Sequence, residues 1–120
     1  MLRIATITVL ALLVLSSNSH ADNRMTVSQL LNGFASGNAS SHAIMKSYIS
    51  GARDGVLMTN LYLEEAAKLS MFCTPEEKLF SAQEIYAIGK RAVRRMNGHN
   101  EPMSMFPFLL TIQLTKEYPC

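Results

Sequence analysis

Apolar positions form one dense block near the start of the chain and then helical stripes separated by short polar breaks. The block runs from Ile4 to Leu15 and is interrupted only by Thr6 and Thr8. Downstream, Val27, Leu30, Leu31 and Phe34 recur at spacings of three and four, which places them on one helical face. Thr26 stands just ahead of that stripe with Gln29 three residues on, a capping-box pattern in which each side chain satisfies a free helix N–H. The clearest stripe is Ile85, Ile88, Gly89, Ala92, Val93 and Met96, opened by a second capping box, Ser81 with Glu84, and stopped by Asn97-Gly98. A last helix over Met105 to Glu117 carries Phe108, Leu109 and Ile112, with Pro107 in its first turn, where a missing N–H is harmless.

The middle of the chain predicts a helix from Ser41 to Asn60, with Ile44, Tyr48, Ala52 and Val56 as its buried face. Beside them Ala43, Ser47, Gly51 and Gly55 make a row of small side chains. Each helical glycine costs about 1 kcal/mol relative to alanine. The row therefore predicts that another helix packs closely against Gly51 and Gly55. Lys46, Arg53 and Asp54 exclude a lipid setting for this row. Leu61 to Leu69 reads as helical, Ala35 to Ser40 as a loop, and Cys73-Thr74-Pro75-Glu76-Glu77 as a turn. No segment alternates strictly between apolar and polar residues, so the expectation is an all-α, single-domain bundle of four to five helices.

The first apolar block changes the picture. Arg3 is the only charge in residues 1–21, and small residues Ser19 and Ala21 follow the polar stretch from Ser16, the pattern that a signal peptidase reads. As a helix the block would span about 18 Å against a hydrocarbon core of roughly 30 Å, too short for an anchor. Residues 1–21 are thus expected to be a signal peptide cleaved after Ala21, leaving residues 22–120 as the exported domain with no stable membrane anchor. The Asn38-Ala39-Ser40 sequon matters only in a host that glycosylates exported proteins.

Charge and cysteine count narrow the function. With Arg3 removed, ten basic residues face nine acidic ones, a balance that argues against nucleic-acid binding. Only Cys73 and Cys120 are present, and in an oxidising compartment an even pair reads first as a disulfide. The rival reading, a nucleophilic Cys73, needs a histidine beside it, and His42 and His99 stand in loop-like contexts. No phosphate loop, His-Glu-x-x-His pair or Gly-x-Ser-x-Gly elbow occurs, and the histidines lack metal-ligand spacing. Glu64-Glu65 and Glu76-Glu77 are adjacent pairs whose members point in different directions on a helix, which suits a solvated face better than an acid–base couple. Neither catalysis nor a cofactor is expected. Lys90, Arg91, Arg94 and Arg95 crowd the end of the best helix, where cations oppose the macrodipole, and a binding patch is the alternative.

Tyr48-Ile49-Ser50-Gly51-Ala52-Arg53-Asp54-Gly55, then Phe72-Cys73-Thr74-Pro75, then the closing Tyr118-Pro119-Cys120, together with the signal peptide, resemble the Rap/Tai family of type VI secretion immunity proteins. The resemblance covers nearly all of the exported domain. It implies a small periplasmic helical protein, often dimeric, that binds and blocks a toxic protein effector; several effectors in this broad group are peptidoglycan amidases. It also implies a disulfide between Cys73 and Cys120. Lys78-Leu79-Phe80 departs from the family in its bulk, as an effector contact or as local packing. An inhibitor needs a rim of charge to steer encounter, and Glu64, Glu65, Glu76 and Glu77 are the candidate rim. The alternative class is a small periplasmic acid-stress chaperone with one disulfide, for which the eight methionines would supply adaptable contacts.

Overall fold

A computed structural model of the chain describes residues 24–120; the signal-peptide reading lies outside them. Four α-helices follow in order: α1, Val27–Ser36; α2, Ala39–Ala67; α3, Ala82–Met96; and α4, Phe106–Glu117, the last preceded by a 3-10 turn at Met103–Met105. There are no strands among the described residues, only an isolated bridge between Thr26 and Pro102. The fold is the expected small all-α bundle with one disulfide.

Both predicted capping boxes are present. The Thr26 hydroxyl accepts from the Gln29 amide at 3.2 Å, and the Gln29 side chain accepts from the Thr26 amide at 2.9 Å. Ser81 and Glu84 repeat the arrangement at α3. The first free amides of α1 also find loop carbonyls: Val27 N–H donates to Glu101 at 2.8 Å and Ser28 N–H to His99 at 3.2 Å. This ties the start of the domain to the α3–α4 connection. Asn97 closes α3 in the left-handed conformation, as the Asn97-Gly98 pair predicts.

The stripe of α1 and that of α3 as far as Val93 are buried as expected, with Met96 half-buried at the end, and Leu30, Ile85 and Ala92 are fully inaccessible. In α4 the core is Phe106, Leu109, Leu110 and Leu114, whereas the predicted core residue Phe108 is 55% exposed. Helices α3 and α4 make the most extensive pairing. Gly89 is what lets them approach: a Cβ there would sit 2.6 Å from the buried Phe106 ring.

The middle of the chain differs from its sequence reading in three ways. The loop expected over Ala35 to Ser40 contracts to Gly37 and Asn38, because the Asn38 side chain caps Ser41 at 2.9 Å and starts α2 at once. The expected segments Ser41–Asn60 and Leu61–Leu69 merge into one continuous helix, Ala39–Ala67, of 29 residues and about 43 Å; Lys68 caps it in the left-handed region and Leu69 lies beyond it. His42 is therefore helical rather than in a loop; its Nδ1 donates to the Phe34 carbonyl at 2.6 Å. Of the predicted buried face, Val56 is core and Tyr48 and Ala52 pack against it, whereas Ile44 is 64% exposed and Ile49, outside the predicted row, is fully buried.

After α2 the chain turns back along it. The Asn60 side chain accepts from Met71 N–H at 2.7 Å and donates to the Phe72 carbonyl at 2.9 Å. Farther back, Arg53 donates to the Phe80 carbonyl at 3.0 Å. Phe72 and Phe80, held at these two points, are buried, and Phe80 meets Tyr118 edge-on at 5.5 Å.

Candidate functional site

Cys73 and Cys120 are joined, with their Cα atoms 4.9 Å apart. Beside the bond, Cys73 N–H donates to the Tyr118 carbonyl at 2.8 Å, so the returning segment and the C-terminal tail are held both covalently and by backbone pairing. With both sulfurs in the bond, a nucleophilic Cys73 is excluded in this state.

The expected close packing at Gly51 and Gly55 is not found. Nothing lies within 4 Å of a Cβ built at either glycine, and both are exposed. The residues that pack α2 into the bundle are Met45, Tyr48, Ile49, Ala52, Val56 and Leu57, on the neighbouring face. The glycines instead form the floor of an open groove of about 400 Å³, with Ala52, Val56 and Thr59 on the α2 side and Pro107, Phe108 and Thr111 on the α4 side. Both threonines spend their hydroxyls on the helix backbone one turn back, Thr59 on the Gly55 carbonyl and Thr111 on the Pro107 carbonyl, each at 2.7 Å. Despite its threonines the groove is therefore short of free polar groups.

The groove continues along α2 as an apolar face. Ile44, Gly51 and Met58 recur every seven residues, and Gly55 and Tyr62 follow with the same interval, four residues later. Seven residues are close to two helical turns, so these positions share one side of the rod. Ile44, Met58 and Tyr62 are 64%, 63% and 69% exposed. No element among the described residues covers this side.

The four glutamates of the candidate rim are all exposed, and none enters an ion pair or side-chain hydrogen bond among the described residues. They occupy two places. Glu64 and Glu65 lie in the last turns of α2, one turn beyond the Asn60 contact. Glu76 and Glu77 lie on the returning segment between the Phe72 and Phe80 contacts, where Lys78 N–H closes a turn onto the Pro75 carbonyl at 3.1 Å and Glu77 is left-handed. Of the bulky Lys78-Leu79-Phe80 run, Phe80 is core, Lys78 pairs with Glu84, and Leu79 stands 86% exposed.

The basic cluster of α3 divides. Arg91 makes a two-pronged pair with Glu117 at 2.6 and 3.0 Å, and Arg95 donates to the buried Gln113, whose amide in turn donates to Glu117. The Arg91 guanidinium, helped by Gln113, holds the Glu117 carboxyl below the usual carboxylate range. These two arginines fasten α3 to α4, a packing role invisible to the helix-end pattern alone. No group of three or more potential metal ligands occurs among the described residues, and no described helix is long and apolar enough to cross a membrane.

No family model matches the chain, and comparison with curated proteins and with solved structures gives no significant match.

Proposed function

We propose that this chain is an exported immunity-type protein that binds a toxic effector delivered by type VI secretion and blocks its active site. The observation that carries a binding role is the uncovered face of α2, where exposed Ile44, Met58 and Tyr62 flank the open groove over Gly51 and Gly55. Large apolar side chains gathered on one side of a rigid rod are what a protein interface needs at its centre. Glu64 and Glu65 at the end of the same helix would supply the charged rim, with Glu76 and Glu77 as a second acidic site on the returning segment. The Rap/Tai resemblance supplies the nature of the partner, and the disulfide agrees with an oxidising compartment.

A photo-crosslinker at Tyr62, in the chain expressed in its own host, is expected to trap one protein that is lethal in the periplasm and tolerated when the chain is co-expressed. Gly55→Glu, which fills the groove without touching the core, should abolish that protection while leaving the circular dichroism spectrum intact. A trapped protein without toxicity, or full protection by a folded Gly55→Glu variant, would overturn the reading. Suppression of client aggregation in strong acid, with no dedicated partner, would favour the chaperone instead. Trapping only a second copy of the chain would assign this face to a homodimer.

A further inference from the structure

On the side of α3 next to its salt bridges, the two remaining cations face a cleft against α1. Tyr86, Lys90 and Arg94 are spaced by one helical turn each and line one wall. Ser28 and Asn32, also one turn apart, line the other wall on α1, and His99 closes the end. The cleft measures about 200 Å³ and its lining contains no carboxylate.

This arrangement is built rather than incidental. The backbone hydrogen bond from Ser28 to the His99 carbonyl fixes two walls of the cleft relative to one another. Tyr86 is stacked on Phe34 with ring centroids 4.9 Å apart, and the Lys90 ammonium lies 5.5 Å from the Tyr86 ring centre. Among the described residues, Lys90 and Arg94 have no carboxylate partner, in contrast to Arg91. The helix dipole accounts for positive charge in the last turn of α3 but not for Lys90, which stands seven residues before the Asn97 cap. Two like charges one turn apart repel, and an anion between them relieves that repulsion. The side chains of Ser28, Asn32 and His99 make no hydrogen bond among the described residues, which leaves polar groups free beside the cations.

We infer that this cleft is a binding site for a compact oxyanion group, carboxylate or phosphate, carried on an apolar body. Lys90 and Arg94 hold the charge, Asn32 and Ser28 donate to the remaining oxygens, and the apolar body lies against Tyr86 over the buried Leu31 and Val93. The site stands apart from the α2 face and does not depend on the immunity reading.

The test uses the disulfide-bonded chain of residues 22–120 and three probes in amide NMR titrations: phenyl phosphate, phenylacetate and neutral benzyl alcohol. Either anion should give saturable shifts centred on Lys90, Arg94 and His99 at millimolar concentration, and benzyl alcohol should give none. The stronger of the two anions identifies the headgroup. Lys90→Gln with Arg94→Gln should weaken binding by about tenfold or more, whereas Lys46→Gln with Lys116→Gln, which removes the same charge from exposed positions elsewhere, should leave it unchanged. Absence of saturable shifts with both anions, or equal weakening by the two double variants, would overturn the proposal. Each variant's spectrum reports its folding directly.

Discussion

Asn60 holds Phe72 as a neighbouring strand would: its amide donates to the Phe72 carbonyl at 2.9 Å while its carbonyl oxygen accepts from the adjacent Met71 amide at 2.7 Å. One helical side chain thus satisfies backbone groups of a segment that has no regular structure of its own.

Replacing Asn60 by alanine leaves both backbone groups half-buried without partners. The expected loss is about 2 kcal/mol, one increment for each hydrogen bond. Asn60→Asp keeps the acceptor and loses the donor, so its loss should be smaller. Urea unfolding midpoints of the three proteins check the order.

Alanine at the glycines of α2 should have the opposite sign from alanine in α3. Gly51→Ala and Gly55→Ala add a Cβ where nothing lies within 4 Å, so each should stabilise the domain by about 1 kcal/mol through helix propensity. Gly89→Ala would drive a Cβ to 2.6 Å from the Phe106 ring and should destabilise by about 1–3 kcal/mol. Thermal melts would expose the contrast, with a rise of roughly 4–8 °C for each α2 variant.

The disulfide closes a loop with a sequence separation of 47 residues, for which chain entropy gives about 4 kcal/mol. Cys73→Ser with Cys120→Ser should lower stability by up to that amount and should remove the difference between oxidised and reduced unfolding curves. An unchanged denaturant midpoint would show that native-state strain or residual structure in the unfolded chain cancels the entropic gain.

Acid should weaken the α3–α4 junction. The Arg91 guanidinium depresses the Glu117 carboxyl in the folded state, from an ordinary value of 4.5. A depressed carboxylate contributes its full stabilisation above the unfolded-state value and loses it as pH falls through the lower folded-state value. Glu117→Gln should therefore cost about 1 kcal/mol at neutral pH and flatten the decline in stability below pH 4.5. Urea titrations from neutral pH into the acid range measure both effects.

Helices α1 and α3 were legible in the sequence because cap, stripe and stop agreed with one another. The pairing of Cys73 with Cys120 was legible from the even count of cysteines together with the expectation of export. The face of α2 was legible in part. A strict four-residue interval drifts around a helix by about 40° per step, so the row that starts exposed at Ile44 turns through Tyr48 and Ala52 onto the core side at Val56, and Ile49, which lies off the row, was missed. The glycines were read from their cost alone, and cost does not say which neighbour, if any, occupies the space. The division of the basic cluster needed the register between α3 and α4, since Arg91 finds Glu117 across 26 residues.

The bond between Cys73 and Cys120 also gives the molecule a covalent topology distinct from its fold. Helices α3 and α4 lie inside a closed ring, and α1 and α2 hang from it as a tail. A protease that cuts once anywhere between residues 74 and 119 therefore opens the ring without releasing a fragment. The exposed turn at Glu76-Glu77 can be nicked and the protein still remains one molecule, whereas a single cut in the Gly37-Asn38 link between α1 and α2 severs the chain.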